Sequence, residues 1–212
     1  MNLVEQIKES GIVAVIRGAN EENILPIASS LLKGGVKTLE ITAETKGVLG
    51  IIEKVASKYG EQLIIGAGTV LDPETARAAI MAGAKFIFSP TVNIETIKMA
   101  KRYGVISIPG ALTPTEILTA YEHGADIIKV FPANAFGPSY LKSIRGPLPH
   151  IPMMPTGGVD LTNIEEYIKA GGVAAGIGSN LVNPKKLVTE NDYMQLEQTA
   201  AQYVEKVKAA RK

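Results

Sequence analysis

Cysteine is absent from the 212 residues, and histidine occurs only twice. Without cysteine the chain can form no disulfide, no thiolate metal site and no cysteine nucleophile. An excess of charge of one sign is also lacking, since the formal net charge is +1, and aromatic residues make up only 5%. A chain with neither a basic cluster nor an aromatic platform lacks the usual features of a nucleic-acid-binding protein. We therefore expect no nucleic-acid partner.

Long hydrophobic runs are missing as well. No apolar stretch reaches the roughly 18 residues that a membrane-spanning helix needs. The first residues, MNLVEQIK, carry charge too early for a secretory signal peptide and lack its apolar core. These absences predict a protein without a membrane partner, located in the cytoplasm.

What the chain does contain is ordinary for a globular protein, with 46% hydrophobic and 20% charged residues. Its length predicts one domain over residues 1–212. Helix-like segments repeatedly end in glycine and are followed by a short β-branched strand, with a spacing of roughly 20–25 residues. The glycines that mark these ends are Gly34, Gly35, Gly60, Gly83, Gly104, Gly124, Gly171 and Gly172, with Gly146 in the one long gap.

The alternation of strand and helix predicts an α/β fold. A short helix over about 3–9 opens the chain and a long amphipathic helix over about 192–210 closes it. Eight units favour a (β/α)8 TIM barrel. A doubly wound open sheet is the alternative, but it calls for a glycine-rich turn after the first strand, where this chain has RGAN at 17–20. The predicted strands are 12–16, 37–42, 63–67, 86–89, 106–108, 127–131, 153–156 and 174–177.

Lys129 lies in the middle of the most informative strand, IIKVFP at 127–132. Alternation along a strand places Ile127, Lys129 and Phe131 on one face, so the ammonium has large apolar neighbours. Burial lowers the pKa of a lysine, and a neutral amine is the nucleophile of Schiff-base chemistry. The alternative is a lysine whose stem is buried and whose charged end reaches water.

Glu40 is the second candidate catalytic residue. Alternation in TLEIT places Glu40 opposite Leu39 and Ile41, so it points into the barrel if those two pack under the helices. A buried carboxylate is costly unless it is paired or used. Together with Lys129 it forms either a structural ion pair or an amine beside a general acid–base.

Two glycine-rich loops follow the last two predicted strands. Gly157 and Gly158 lead into a helix predicted over 161–170, and Gly178 and Ser179 follow the eighth strand. Backbone N–H groups in such loops, helped by a helix N-terminus, bind phosphate in many barrels. Tight turns without a ligand are the other interpretation.

Taken together, seven motifs resemble the 2-keto-3-deoxy-6-phosphogluconate (KDPG) aldolase family, which includes 4-hydroxy-2-oxoglutarate aldolases. The similarity runs from about residue 3 to about residue 208, and each motif alone is weak. The motifs, in matching order, are VAVIR at 13–17, GGVKTLEIT at 34–42, GAGTV at 66–70, IFSP at 87–90, IPG at 108–110, KVFPA at 129–133 and PTGGV at 155–159.

The resemblance implies a metal-independent class I aldolase without a cofactor, on a (β/α)8 barrel and assembled as a homotrimer. It puts the Schiff-base lysine at Lys129, the acid–base glutamate at Glu40 and the contact to the pyruvate carboxylate at Thr69. The remaining implied positions are Arg17, Pro90, Phe131 and Thr156 in the substrate pocket, and Gly157, Gly158, Gly178 and Ser179 around the phosphate.

One position departs from the family pattern. Many members carry an arginine two residues beyond the threonine of the second strand, where this chain has Glu44. Either Arg17 supplies the missing charge or Glu44 faces solvent. The substrate therefore stays open between KDPG, its galactonate epimer and 4-hydroxy-2-oxoglutarate. A phosphosugar isomerase or epimerase on a similar barrel is a further alternative, but it would use a carboxylate or histidine pair in place of the strand lysine.

Overall fold

The computed structural model describes residues 2–212, in which short parallel strands alternate with helices. The strands are β1 (Ile12–Ile16), β2 (Thr38–Thr42), β3 (Ile64–Gly68), β4 (Phe86–Phe88), β5 (Ile106–Ile108), β6 (Gly110–Ala111), β7 (Ile128–Val130), β8 (Met153–Pro155) and β9 (Ala175–Ile177). The helices are α1 (Leu3–Ser10), α2 (Ile24–Lys33), α3 (Val48–Tyr59), α4 (Pro73–Met81), α5 (Ile94–Arg102), α6 (Pro114–Glu122), α7 (Gly137–Arg145), α8 (Ile164–Lys169) and α9 (Glu190–Ala210). Two short 3-10 helices, Ala133–Ala135 and Pro184–Lys186, complete the regular elements.

The strands form two parallel sheets. Six strands pair in the order β5-β4-β3-β2-β1-β9, and three pair in the order β6-β7-β8. A parallel bridge between Thr156 and Gly176 joins the end of β8 to β9. This arrangement confirms the predicted α/β class with a parallel sheet that curls round, but it falls short of one continuous eight-stranded barrel.

The predicted fifth strand, 106–108, is observed as β5, and an additional short strand that was not predicted, β6, follows it after a proline. Pro109 separates β5 from β6, and it has no N–H to donate to a neighbouring strand. Its carbonyl still accepts a bond from the backbone N–H of Lys129 at 2.9 Å. The chain therefore passes from the six-stranded sheet to the three-stranded sheet at this residue.

Two layers of apolar side chains pack on opposite faces of the strands. The larger layer joins strand residues such as Leu39 and Ile41 to residues of the surrounding helices. The smaller layer consists of side chains from the strands and Ile7 of α1, with Phe86 and Phe88 among its members. Leu39 and Ile41 thus pack under the helices. This meets the condition under which alternation places Glu40 on the inner face.

The helices mostly agree with the sequence pattern, with one correction that affects the site. The helix predicted over 161–170 begins only at Ile164, because Asp160 accepts bonds from both the N–H and the hydroxyl of Thr162 at 2.7 and 2.5 Å. This local turn competes with helix formation. The closing helix α9 packs against α2 and α8. Among residues 2–212, no helix combines the length and the apolar character needed to cross a bilayer.

Candidate active site

The predicted site residues gather at the carboxyl ends of the parallel strands. Arg17 follows β1 directly, Thr69 follows β3, and Thr156 follows β8, while Glu40 and Lys129 lie within β2 and β7. In parallel α/β folds this edge is where ligand and catalytic groups collect. Because the strands are parallel and paired in register, the loops that follow them lie at one end of the fold.

Lys129 is buried on the inner face, with only 6% of its surface exposed. Its Nζ lies 4.2 Å from the ring centroid of Phe88 and 4.5 Å from that of Phe131. The side chain therefore does not reach bulk water, which contradicts the alternative of a lysine with an exposed charged end. Burial is the main cause that lowers the pKa of Lys129, Arg17 lowers it further, and the nearby Glu40 opposes both.

Glu40 is buried even more completely, at 1% exposure. Its side chain lies directly against Gly68 of the neighbouring strand, where an added Cβ would come within 1.5 Å of Oε1. Any larger residue at position 68 would occupy the space that the carboxyl group fills. The absence of a side chain at Gly68 thus leaves the space that the carboxyl group of Glu40 occupies.

Burial raises the pKa of Glu40 to about 7, although the positive charges of Lys129 and Arg17 lower it. In the part of the chain that the structure describes, no ion pair within 4.0 Å joins Glu40 to Lys129, and Oε2 has no hydrogen-bond partner. The two groups act on each other's pKa without direct contact. A buried acid and a buried amine separated in this way are suited to proton transfer through a bound molecule, and the alternative of a directly paired structural ion pair is not supported.

Arg17 connects the ends of three adjacent strands. Its Nη1 donates to Oε1 of Glu44 at 2.7 Å, and its Nη2 donates to Oγ1 of Thr69 at 3.4 Å. Thr69 has φ +54°, a left-handed conformation that a β-branched residue adopts only when its surroundings impose it. Glu44 therefore faces solvent, as one of the two predicted options requires, and it is also paired with Arg17.

Pro90, Phe131 and Thr156 surround the same region. An added Cβ on Gly110 would lie 2.4 Å from the carbonyl carbon of Pro90, so these chain segments touch. Phe131 packs over Lys129, and a Cβ on Gly157 would lie 3.2 Å from its ring. Thr156 is buried, and its Oγ1 would lie 2.4 Å from a Cβ on Gly176.

The two predicted phosphate loops lie side by side, because the Thr156–Gly176 bridge pairs the strands that precede them. Gly158 has φ +73° and packs closely against Asn134, a combination that only glycine accommodates. The backbone N–H groups of Gly158 and Ser179 donate to no protein acceptor in the described range. The helix N-terminus expected beside them is missing, since three turn residues separate Asp160 from α8.

The two histidines lie away from this edge. The Nδ1 of His123 is 2.7 Å from the carbonyl oxygen of Thr119 at the end of α6, and the ring of His150 packs edge-on against Tyr121 at 5.4 Å. Within residues 2–212 no cluster of three or more His, Cys, Asp or Glu side chains is arranged to hold a metal ion. A histidine-based isomerase site is therefore not supported by this arrangement.

Comparison with known proteins points to a family of aldolases, in agreement with the buried lysine and glutamate of the site. The model of the family described as KDPG and KHG aldolase matches residues 3–199. The chain belongs to this aldolase family. Among its relatives are a 2-dehydro-3-deoxy-phosphogluconate aldolase of Pseudomonas aeruginosa, 39% identical over 94% of this chain and 90% of the relative, and a 2-dehydro-3-deoxy-6-phosphogalactonate aldolase of Escherichia coli, 35% identical over 94% of each.

A solved structure of a KDPG aldolase from Legionella pneumophila, with pyruvate captured as a covalent carbinolamine, superimposes with a TM-score of 0.86. It is 28% identical and covers 95% of this chain and 97% of its own. The fold of this aldolase family member therefore matches that of a protein that forms a covalent bond to pyruvate.

The sequence pattern missed two residues that shape the candidate site of this aldolase family member. Phe88 lies over Lys129, and Gly68 makes room for Glu40. Alternation in FIF at 86–88 could have placed Phe86 and Phe88 on one face, but not which face. The contact between Gly68 and Glu40 depends on the register of β2 and β3, in which Thr42 pairs with Gly68.

Proposed function

We propose that this protein is a class I aldolase that cleaves 2-dehydro-3-deoxy-6-phosphogluconate to pyruvate and glyceraldehyde 3-phosphate. The observation that carries the proposal is the buried Lys129, whose pKa is lowered by burial and which lies near the buried Glu40. An amine that loses its proton readily is a nucleophile toward ketones. Family membership and the relative acting on phosphogluconate support the same reaction.

The reaction would begin when the neutral amine of Lys129 attacks the C2 ketone of the substrate. Glu40, through a water molecule, moves protons as the carbinolamine loses water and becomes an iminium. The iminium accepts the electron pair of the C3–C4 bond as the C4 hydroxyl loses its proton, and glyceraldehyde 3-phosphate leaves. The enamine is then protonated at C3 and the pyruvate imine is hydrolysed, which regenerates the amine. General acid–base help of this kind is typically worth about 10²–10⁴-fold.

The aromatic rings beside Lys129 support this chemistry. The iminium carries a positive charge on the nitrogen, and the faces of Phe88 and Phe131 lie 4.2 and 4.5 Å from Nζ. Aromatic faces attract cations, most strongly where water is excluded. The two rings would therefore stabilise the iminium while they keep bulk water from the nitrogen.

The remaining site residues are assigned by the same proposal. Thr69 and Arg17 would bind the pyruvate carboxylate, since the guanidinium and the hydroxyl are 3.4 Å apart at one edge of the site. Pro90, Phe131 and Thr156 would line the pocket. The backbone N–H groups around Gly157, Gly158, Gly178 and Ser179 would bind the phosphate, without help from a helix N-terminus.

A second substrate, the galactonate epimer, is supported by the phosphogalactonate aldolase that is 35% identical. Cleavage of 4-hydroxy-2-oxoglutarate to pyruvate and glyoxylate is a further activity that the proposed lysine chemistry allows. The values of kcat/KM for the three compounds, measured side by side with coupled detection of pyruvate, decide between them. We expect KDPG to give the highest value. A higher value for the galactonate compound would reassign the substrate.

We also infer that the two sheets form one closed (β/α)8 barrel in a single domain of residues 1–212. The support is the bridge from β8 to β9 together with the short passage through Pro109, which leave neither sheet with a long free edge. A homotrimer is proposed from the resemblance, and its mass in solution would be three times 22.5 kDa. A cytoplasmic location follows from the proposed substrate, because a phosphorylated sugar acid is too highly charged to cross a bilayer unaided.

Reduction of the protein with borohydride in the presence of pyruvate tests the central claim. We expect one stable pyruvate adduct on Lys129, identified by peptide mass spectrometry. Lys129→Ala should form no adduct and lose cleavage activity. Lys142→Ala, which removes an exposed lysine on α7, serves as the matched control and should behave as wild type. Full activity in Lys129→Ala would refute the scheme.

A further inference from the structure

Glu44, Arg17 and Thr69 lie at the ends of three consecutive strands. Arg17 follows β1, Glu44 follows β2 and Thr69 follows β3, and these strands pair in the order β1-β2-β3. The 2.7 Å bond from Nη1 to Glu44 and the 3.4 Å bond from Nη2 to Thr69 use two different nitrogens of one guanidinium. The planar guanidinium is thereby fixed in direction, and not merely neutralised.

This ion pair adds little to the stability of the fold. The side chains of Arg17 and Glu44 are 63% and 47% exposed, and exposed ion pairs contribute little because water screens them. Thr69, in contrast, is held in a left-handed backbone conformation, and residues in such conformations cluster at ligand sites. The bond of Arg17 to Glu44 therefore matters for where the guanidinium points.

We propose that Glu44 is a positioning residue that holds Arg17 against Thr69, so that both present their donors to the carboxylate of a 2-keto acid. This inference rests on the proposed function, since it assumes that pyruvate binds at this edge. Glu44 is itself unable to bind a carboxylate. Its proposed role is to orient Arg17, which binds the carboxylate. Arg17 keeps free N–H donors for the ligand, because a guanidinium carries five.

The concentration of pyruvate that gives half-maximal borohydride trapping on Lys129 measures this binding without reference to the sugar substrate. We expect Glu44→Ala to raise that concentration roughly 3- to 10-fold, the effect of letting one long side chain move freely, while the trapping rate at saturation stays near that of wild type. Glu44→Gln should recover most of the affinity, because its amide oxygen still accepts a bond from Arg17. Glu53→Ala, at an exposed position on α3, controls for the loss of one negative charge.

Arg17→Ala and the double variant Arg17→Ala/Glu44→Ala complete the test. If Glu44 acts through Arg17, the double variant should require no more pyruvate than Arg17→Ala alone. Additive effects, or a Glu44→Ala protein with unchanged or tighter pyruvate binding, would overturn the inference while leaving the lysine chemistry intact. A wild-type protein that is not trapped at any pyruvate concentration would refute the proposed function and this inference with it.

Discussion

Lys129 and Glu40 are buried side chains that carry ionisable groups, yet neither has a charged partner within 4.0 Å in the described part of the chain. Burying such groups without direct pairing costs free energy, and their apolar replacements would pack more stably. The pKa of each group is shifted in the direction that favours its neutral form. At the scale of single residues, the burial of Lys129 and Glu40 lowers the stability of the fold, and it favours the neutral forms that the proposed chemistry uses.

Gly68→Ala tests whether activity depends on the buried position of the Glu40 side chain. The added methyl group would overlap the carboxyl group, so the side chain of Glu40 must leave its position. We expect kcat to fall by at least about 10²-fold, the lower range for the loss of a general acid–base. Steady-state kinetics of pyruvate release measures the effect, with circular dichroism to verify the fold. Activity equal to that of wild type would show that the position of Glu40 is unimportant.

The raised pKa of Glu40 predicts how stability changes with pH. The folded protein keeps this proton up to about pH 7, whereas the unfolded chain releases it near pH 4.5. The unfolded state therefore binds fewer protons in this window, and the contribution of Glu40 to stability falls as the pH rises. Glu40→Gln should gain stability relative to wild type between pH 4.5 and 7, by up to about 3 kcal/mol, and no more above pH 7.

Urea unfolding of the wild type and Glu40→Gln at several pH values measures this difference. Glu53→Gln, which changes an exposed carboxylate on α3, is the matched control. A Glu40→Gln difference that is flat or that shrinks as the pH rises would contradict the assigned pKa shift.

At the scale of elements, the observed helices and strands agree well with the sequence pattern wherever that pattern spans many residues. The 21 residues of α9 begin with a capping box at Thr189 and Asp192 and bury one stripe against the fold. The short α8 was predicted too long, because the local bonds of Asp160 hold residues 161–163 in turns. Short segments are decided by such side-chain bonds, which periodicity does not detect.

Gly34→Ala tests the contact between α2 and α9. Gly34 caps α2, and an added Cβ would lie 2.5 Å from the carbonyl oxygen of Glu197 and 2.6 Å from the Cβ of Ala200 on α9. Because backbone atoms cannot easily move aside, we expect a loss of about 1–3 kcal/mol in the free energy of unfolding. Thermal denaturation measures it.

Gly50→Ala is the matched control, since Gly50 lies inside α3 with no atom within 4 Å of an added Cβ. Alanine favours the helix over glycine, so this variant should be stabilised by about 0.5–1 kcal/mol. A Gly34→Ala protein as stable as Gly50→Ala would show that the helices can separate without cost.

At the scale of the whole molecule, two sheets meet at two seams, one at Pro109 and one at the bridge between Thr156 and Gly176. Residues of both sheets pack together in the inner apolar layer, as Phe88 of β4 and Met154 of β8 show. The sheets therefore share one core, which is expected to unfold as one unit.

Gly176→Ala tests whether the two sheets unfold as one unit. The added Cβ would lie 2.4 Å from Oγ1 of Thr156, across the second seam. We expect the variant to unfold in one transition like the wild type, with a loss of about 1–3 kcal/mol that lowers Tm by roughly 2–4 °C for each kcal/mol. Calorimetry measures both quantities. Two separate transitions in either protein would contradict the proposed single closed barrel.

The sequence by itself determined the alternation of strands and helices, the placement of Glu40 on the face of β2 opposite Leu39 and Ile41, and the apolar neighbours of Lys129 along its own strand. These follow from local periodicity, because the side chains of a strand alternate whatever the rest of the chain does. The motifs, taken in order, were also enough to indicate the family.

Only the tertiary structure decided that Gly68 makes room for Glu40, that Phe88 lies over Lys129 and that Glu44 holds Arg17. Each of these contacts joins residues on different strands, so it depends on strand order and register and on how the sheets curl. A one-residue change of register would move every side chain of a strand to the opposite face. Periodicity within one segment contains no information about the register between strands. The packing of the complete fold determines that register.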